Sequence, residues 1–73
     1  MDRVSTTLGT RIRSARLAAG IKQAELGRRL RVTAISVWRW EKDQRHPDVN
    51  RLPQLARELS VSIDWLLGVE QAA

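Results

Sequence analysis

Cysteine, tyrosine and phenylalanine are absent from the 73 residues, and histidine occurs once, as His46. Without cysteine the chain can form neither a disulfide framework nor a thiolate metal site, and a single histidine cannot build a metal site alone. We therefore expect no metal and no other cofactor. The lack of disulfides suits a reducing compartment, so we expect a cytoplasmic location.

Long apolar runs and catalytic patterns are missing as well. No stretch approaches the ~18 apolar residues of a membrane span, and the sequence does not open with a signal-peptide pattern. It contains no Ser/His/Asp or Cys/His set, no cluster of metal ligands and no glycine-rich phosphate loop. We therefore expect no enzyme and no membrane association, and no small-molecule site is evident.

Positive charge is in excess and is unevenly distributed. Residues 1–45 contain eleven Lys or Arg and four Asp or Glu, a net charge of +7, whereas residues 46–73 contain two and four, a net charge of −2. A one-sided positive field attracts a polyanion and speeds its encounter. Nucleic acid fits better than a membrane surface, because the basic residues do not lie opposite a broad aromatic face. A solubility role is the plainer alternative.

Helical spacing is common and strand-like alternation is nearly absent, which predicts an all-α fold of five helices. We expect one domain over residues 1–73, with its core at about 8–68 and loose ends at 1–5 and 69–73. Thr6 or Thr7 can cap the first helix, and Gly20 can end it. The inward stripe of this helix is Leu8, Ile12, Ala15 and Ala19.

Three later helices begin with one shared pattern. An apolar residue precedes the cap position and a second follows five residues later, which is the spacing of a hydrophobic staple. This predicts helices at about 23–30, 34–41 and 63–67, the last ended by Gly68. The apolar pairs are Ile21 and Leu26, Val32 and Val37, and Val61 and Leu66, with Lys22 (a poor cap), Thr33 and Ser62 between them.

A polar loop at residues 42–50 precedes the fourth helix. Proline is tolerated only in the first turn of a helix, so Pro53 predicts a start near Asn50 or Arg51 and an end near Leu59. The inward residues are Leu52, Leu55, Ala56 and Leu59.

Several short segments occur in a diagnostic order: Gly9-Thr-Arg-Ile-Arg13, Gly20-Ile-Lys-Gln-Ala-Glu-Leu26, Val32-Thr33, Trp40-Glu41 and Val61-Ser-Ile-Asp-Trp-Leu-Leu-Gly68. Each is weak alone, but in this spacing the set resembles the lambdoid phage repressor-type (Cro/cI, xenobiotic-response-element) helix-turn-helix family over about residues 8–68. The resemblance implies a compact five-helix domain in which helices 2 and 3 form the helix-turn-helix. It also implies a sequence-specific DNA-binding regulator of transcription, a repressor rather than an activator, with helix 3 in the major groove.

The resemblance implies base contacts from Ala34, Ile35, Ser36 and Arg39, because Val37 and Trp40 should face inward. Ala34 and Ile35 can pack on a thymine methyl group, and Arg39 can bind the O6 and N7 atoms of guanine. The plainer alternative is that Arg39 grips a phosphate and distinguishes no base.

Phosphate contacts are expected around the helix-turn-helix. The family places a backbone phosphate at the position of Gln23, at the start of helix 2, and Lys22 is a suitable neighbour; a capping or surface role is the alternative for Gln23. The remaining candidates are Arg45, Arg51 and Trp38. For Trp38, packing back onto the domain and contact with another protein stay open beside DNA contact, and Trp65 is expected in the core or in a dimer contact.

The sequence departs from the family pattern at two positions and has the residues of an ion pair that the family forms. Arg31 and Asp43 stand where the family usually has glycine, at a local cost of about 1 kcal/mol each; a differently shaped turn at Arg31 is the alternative. The family pairs the positions of Arg16 and Glu41 in a partly buried ion pair. Gly27 is expected where helices 2 and 3 approach each other, and isolated arginines such as Arg11, Arg13, Arg28 and Arg29 are expected to be solvated or at the rim of the DNA contact.

The expected partner is a double-stranded, pseudo-palindromic DNA operator. We expect no large dimerisation domain in this sequence. Either the chain dimerises weakly and mostly on DNA, or it is the DNA-binding part of a longer protein, bacterial or phage-encoded. The main alternative function is a protein-interaction module, such as an antitoxin or anti-repressor with the same fold; non-specific architectural DNA binding is a third.

Overall fold

The computed structural model describes residues 6–69, and the expectations for residues 1–5 and 70–73 lie outside this range. The described part is all-α, and no strand occurs in it. The five-helix prediction is thus confirmed, with one addition, a 3₁₀ turn before α4. The helices are α1 (Leu8–Ala19), α2 (Gln23–Leu30), α3 (Ala34–Glu41), the 3₁₀ turn (Val49–Arg51), α4 (Leu52–Leu59) and α5 (Ile63–Leu67).

The helix starts predicted from the hydrophobic staples are confirmed. The side-chain oxygens of Thr33 and Ser62 accept hydrogen bonds from the backbone N–H groups of Ser36 and Trp65, which caps α3 and α5. Lys22 makes no side-chain capping bond at the start of α2, as expected for this residue type. The apolar partners before these caps are partly buried against the core and are Ile21, Val32 and Val61.

One predicted inward residue was wrong, and the start of α4 has a feature that was not predicted. Ala19, expected to face inward, is exposed, because α1 ends there and its last turn extends past the core. The fourth helix begins at Leu52 with Arg51 as its N-cap, in agreement with the predicted start near Asn50 or Arg51. Asp48 accepts a hydrogen bond from the N–H group of Asn50 and starts a 3₁₀ turn, and Pro53 then lies in the first turn of α4.

Two glycines allow helices to approach closely. A Cβ atom added to Gly27 would lie 2.7 Å from the carbonyl oxygen of Val32, so the α2–α3 turn needs glycine there. A Cβ atom added to Gly9 would collide with the carbonyl oxygen of Trp40 and lie 2.8 Å from that of Glu41. The first approach was predicted from the sequence, whereas the second was not.

Among residues 6–69, three non-glycine residues adopt left-handed backbone conformations: Arg31 (φ 61°), Asp43 (φ 60°) and Ser60 (φ 59°). Such conformations cost L-residues roughly 1–2 kcal/mol. Arg31 therefore adopts the strained left-handed conformation, and the alternative of a differently shaped turn does not occur. For Asp43 the cost is offset, because its carboxylate accepts hydrogen bonds from the Thr7 hydroxyl (2.6 Å) and the Gly9 N–H group (3.0 Å).

The core lies between all five helices, and the predicted inward residues of α4 are all buried. Trp40 is buried as expected, and Trp65 is half-buried against the same core. The buried apolar residues are Ile12, Ala15, Leu26, Leu30, Val37, Trp40, Leu52, Leu55, Ala56, Leu59 and Leu66.

Candidate nucleic-acid interface

Helix α3 is anchored on one side and open on the other. Val37 and Trp40 are buried, which fixes the rotation of the helix about its axis. The opposite side carries large apolar groups in solvent, with Ile35 61% and Trp38 41% exposed. We call this side the outer face of α3; its members are Ile35, Trp38 and Arg39, with Ala34 and Ser36 half-buried at its edge.

The polar residues of the outer face differ in whether their side chains already form hydrogen bonds or ion pairs within the protein. Arg39 is exposed, and none of residues 6–69 forms a hydrogen bond or ion pair with its guanidinium group. The Ser36 hydroxyl accepts a hydrogen bond from the Thr33 hydroxyl (3.0 Å), so Ser36 takes part in the cap of α3. The guanidinium group of Arg39 is thus free to bind a ligand, whereas the hydroxyl group of Ser36 is already used in part by the cap of α3.

A buried ion pair ties α1 to the end of α3. Arg16 Nε and Nη2 donate hydrogen bonds to the Glu41 carboxylate at 2.6 and 3.1 Å. Both residues are buried, with 7% of Arg16 and 5% of Glu41 exposed. The third nitrogen, Nη1, donates to the carbonyl oxygen of Ile21 (2.9 Å), just before α2. The structure therefore brings together the two residues of the expected pair and extends their contact to the entrance of α2.

Gln23 joins this network. Its side-chain Nε2 donates a hydrogen bond to Glu41 Oε1 (3.1 Å), which holds the first residue of α2 beside the last residue of α3. The side-chain carbonyl oxygen and a second N–H group of Gln23 remain free of hydrogen bonds to residues 6–69. Lys22, one residue earlier, is exposed and has no side-chain partner in that range.

The two arginines predicted to contact phosphate near α4 differ from each other. Arg45 is exposed, and its side chain bonds to no other residue in the range 6–69. Arg51 is half-buried, and its Nη1 donates a hydrogen bond to the carbonyl oxygen of Leu30 (2.7 Å), the last residue of α2. Arg51 therefore satisfies a free carbonyl at a helix end, a role that its position in the sequence did not indicate.

Of the arginines expected to be solvated or at the rim, Arg28 and Arg29 are exposed as expected but form surface ion pairs, and Arg11 is half-buried. Arg28 and Arg29 both form ion pairs with Glu25, and Arg29 also reaches Glu58 (3.2 Å). Arg11 donates a hydrogen bond to the carbonyl oxygen of Trp65 (2.8 Å), and its guanidinium carbon lies 5.2 Å from the centre of the Trp65 ring. Because of these contacts, fewer arginine side chains are available to bind a polyanion than the net charge of the chain suggests.

Trp38 lies outside the core. Its ring is 41% exposed, and the ammonium group of Lys42 lies 6.0 Å from the ring centre. Trp38 is therefore not part of the buried core, and Lys42, the residue after α3, lies near its ring. The three roles considered for Trp38 stay predictions. Within the described residues no group of three or more His, Cys, Asp or Glu side chains could hold a metal ion, and no helix of that part is long and apolar enough to cross a membrane.

The fold and this site define the class: a five-helix domain with a helix-turn-helix at α2–α3 whose outer face is exposed. A family model described as "Helix-turn-helix" matches residues 12–66. The chain therefore belongs to the helix-turn-helix family, and the resemblance to its lambdoid repressor type is confirmed by the relatives found.

The relatives carry regulator and repressor names. The HTH-type transcriptional regulator ImmR of Bacillus subtilis (strain 168) is 34% identical over 67 residues, which are 92% of this chain and 53% of ImmR. The repressor protein C2 of Salmonella phage P22 is 35% identical over 60 residues, which are 82% of this chain and 28% of that protein. The chain thus spans about half or less of the length of these relatives.

Solved structures agree with this family assignment. The crystal structure of the P22 c2 repressor in complex with a synthetic operator has a TM-score of 0.83 at 32% sequence identity, covering 90% of this chain and 100% of that one. The solution structure of the DNA-binding domain of the same repressor has a TM-score of 0.81 at 30% identity, covering 97% and 96%.

Proposed function

We propose that this chain binds double-stranded DNA sequence-specifically with the outer face of α3 in the major groove, and that it acts as a transcriptional regulator, in the sense of a repressor. The observation that carries the proposal is a rigidly anchored helix that leaves Ile35, Trp38 and Arg39 in solvent. The similarity to a repressor solved in complex with a synthetic operator supports it.

Base recognition in this proposal falls to four residues of α3. Arg39 donates two hydrogen bonds to the O6 and N7 atoms of guanine, a contact worth roughly 1–3 kcal/mol of discrimination. Ile35 packs on a thymine methyl group, because it has no hydrogen-bonding atom to offer a base edge. Ala34 and Ser36, half-buried at the edge of the face, make the smaller contacts.

Phosphate contacts position the domain on the duplex. Gln23 is the strongest candidate, because Glu41 holds its side chain in place while free donor and acceptor groups remain. Lys22 and Arg45 are free cations, and Trp38 lies against the backbone or the groove wall. Arg51 is the weaker candidate of the expected set, because part of its guanidinium group already binds the carbonyl oxygen of Leu30.

The proposal extends to assembly and place of action. One domain of this size buries little DNA, so two copies are expected on half-sites about one helical turn apart, related by the symmetry of a pseudo-palindromic operator. The dimer is weak in solution or forms on the DNA. Because operator DNA lies in the cytoplasm of a bacterium, the proposed chain acts there. Its proposed role is to bind DNA and not to catalyse a reaction.

The experiment is a selection of duplexes from a random DNA pool, followed by affinity measurements at several salt concentrations. With about four to six phosphates neutralised, log K should fall with log salt at a slope of about −4 to −5. Arg39→Ala should relax the preference for one guanine. Arg57→Ala is the matched control, since Arg57 is exposed on α4 and has no partner in the described range. A slope near zero would contradict DNA binding, and a uniform loss of affinity with unchanged base preference would leave Arg39 as a phosphate contact only.

One observation favours a second function. Ile35 and Trp38 together expose a large apolar surface on α3, which also suits a protein partner of an antitoxin or anti-repressor. The same selection and affinity measurements separate the two, because a protein-interaction module would show no salt-dependent binding to any duplex of the pool. Salt-dependent binding without any motif would instead indicate non-specific architectural binding.

A further inference from the structure

The last two carbonyl groups of α2 bind side chains that come from α4 and from the 3₁₀ turn before it. We propose that these side chains, Arg51 and Gln54, are positioning residues for DNA binding. They fix the end of α2 on α4 and thereby set the orientation of the helix-turn-helix within the domain. Arg51 then binds the protein itself and not a phosphate. The inference rests on the proposed DNA-binding function.

The turn after α2 satisfies only half of the carbonyl groups at the end of this helix. The last four carbonyl groups of a helix have no partner within it, and in α2 they belong to Gly27, Arg28, Arg29 and Leu30. The N–H group of Arg31 donates to the Arg28 oxygen (3.2 Å), and the N–H group of Val32 donates to the Gly27 oxygen (2.8 Å). The last two carbonyl oxygens are left for other donors.

Two side chains bind these remaining oxygens. Gln54 Nε2 donates a hydrogen bond to the carbonyl oxygen of Arg29 (2.9 Å), and Arg51 Nη1 donates to the carbonyl oxygen of Leu30 (2.7 Å). The side chain of Arg29 also reaches the Glu58 carboxylate on α4 (3.2 Å). We call the two bonds to the carbonyl oxygens the carbonyl clamp, which joins the end of α2 to the start of α4.

The same kind of turn ends α1 and α4 without such a clamp. Gly20 and Ser60 adopt left-handed conformations like Arg31, and their N–H groups and those of the next residues donate to earlier carbonyl oxygens in the same pattern. Among residues 6–69, no side chain donates to either of the last two carbonyl groups of α1 or of α4. The clamp is therefore a property of α2, the first helix of the helix-turn-helix, and not of the turn type.

The carbonyl clamp fixes one end of α2, and the bond between Gln23 and Glu41 fixes the other. Lys22 and Gln23 are the proposed phosphate contacts at the start of α2, whereas Arg45 lies in the loop that leads to the 3₁₀ turn. Phosphate contacts fix the orientation of a protein on the duplex. A tilt of α2 relative to α4 would therefore move Gln23 away from its phosphate while Arg45 stays on its own. The clamp opposes this tilt.

Loss of the clamp should weaken binding to a specific site more than general binding to DNA. The left-handed conformation of Arg31, directly after the clamp, is strained, so the turn needs support from its neighbours. A hydrogen bond of this kind changes a conformational equilibrium by roughly two- to tenfold, and the apparent affinity falls with the fraction of the binding-competent conformation. Non-specific binding depends on the positive field of the protein rather than on the exact placement of α3.

The test uses the full chain, the duplex recovered from the random pool and a scrambled duplex of the same composition. Arg51→Met and Gln54→Met remove the two donors while side chains of similar length remain. Arg57→Met is the matched control, since Arg57 is exposed on α4 and has no partner in the described range. Fluorescence anisotropy measures the dissociation constants at several salt concentrations, and urea unfolding shows that each variant is folded where binding is measured.

Both clamp variants should bind the selected duplex about three- to tenfold more weakly, and the double variant should lose more. Binding to the scrambled duplex should stay within about twofold, and the slope of log K against log salt should change by less than about half a unit. Gln54→Met is the sharper variant, because it removes no charge and its bond to Arg29 lies at the surface, so the chain should still fold. Arg57→Met should leave the affinity for the selected duplex within about twofold.

Two results would overturn the inference and leave DNA binding intact. A slope smaller by about one for Arg51→Met, with equal losses on both duplexes, would identify Arg51 as a phosphate contact. A lower urea midpoint with unchanged dissociation constants, in the double variant as well, would show that the clamp only stabilises the fold. If instead the unmodified chain selects no duplex and its affinity does not respond to salt, the proposed function itself fails, and this inference fails with it.

Discussion

Replacing Arg16 by methionine should destabilise the domain strongly. The substitution removes three hydrogen bonds, two to the Glu41 carboxylate and one to the carbonyl oxygen of Ile21. Methionine approximates the length of the arginine stem, so little apolar packing is lost. What remains is a buried carboxylate whose one other partner among residues 6–69 is the Gln23 side chain.

The magnitude follows from the burial of the pair. Glu41 is 5% exposed, and a charge left unpaired at such a site costs about 3–5 kcal/mol. A domain of this length has a total stability of about 4–11 kcal/mol at roughly 0.05–0.15 kcal/mol per residue. Arg16→Met should therefore remove between about a quarter of the stability and all of it.

Urea unfolding followed by far-ultraviolet circular dichroism measures the effect. Arg13→Met is the matched control, because Arg13 lies on the same helix, is exposed and has no partner in the described range; it should change the free energy of unfolding by less than about 0.5 kcal/mol. The double variant Arg16→Met/Glu41→Leu should recover much of the loss, since no charge is stranded. A loss below about 1 kcal/mol for Arg16→Met, or simple additivity in the double variant, would refute the reasoning.

Substitutions at three further positions test the local structure in the same unfolding assay. Gly9→Ala should cost about 1–3 kcal/mol, because its Cβ atom would lie 2.7 Å from the Asp43 carboxylate and collide with the Trp40 carbonyl oxygen; an unchanged midpoint would contradict this approach of α1 to α3. Asp43→Ala should cost about 2 kcal/mol by removing the hydrogen bonds from Thr7 and Gly9, and Asp43→Asn should cost less; equal losses would show that the acceptor oxygens do not matter. Arg31→Gly should stabilise the chain by about 0.5–1 kcal/mol by relieving the left-handed conformation, and a loss would indicate an unrecognised contact of Arg31.

The helix boundaries could be predicted from the sequence, because they depend on residues that are close to one another along the chain. The staple spacing around Thr33 and Ser62 involves residues at most five positions apart, and each cap bond is made within three residues. The inward residues of α3 followed from the same spacing. The 3₁₀ turn before α4 was not predicted, because the Pro53 argument concerned only the start of the helix and did not consider the hydrogen bond that Asp48 accepts.

Contacts between residues that are distant in the sequence could be predicted only where the family resemblance implied them. Arg16 and Glu41 are 25 positions apart, and they were paired by resemblance rather than by any local pattern. The bonds of Asp43 to Thr7 and Gly9 span 36 and 34 positions, and no sequence signal pointed to them.

The arginines show why charge alone misplaces a binding surface. Arg11, Arg29 and Arg51 look alike in the sequence, yet each is drawn to a carbonyl oxygen or a carboxylate that only the tertiary fold brings near. Arg39 and Arg45 have no such neighbour among the described residues and remain available. Composition therefore indicated an interaction with a polyanion, whereas the choice of residues depended on the packing of α1, α2 and α4.

Residue-by-residue mapping of the duplex contact tests the central claim most directly. The isotopically labelled chain is titrated with its selected duplex, and the backbone amide shifts are followed by nuclear magnetic resonance. The largest changes should fall on residues 34–39 and on Lys22 and Gln23, with small changes on α5. Changes concentrated on α5 or on the exposed side of α1, with residues 34–39 unaffected, would contradict the assignment of the outer face of α3 as the DNA-binding surface.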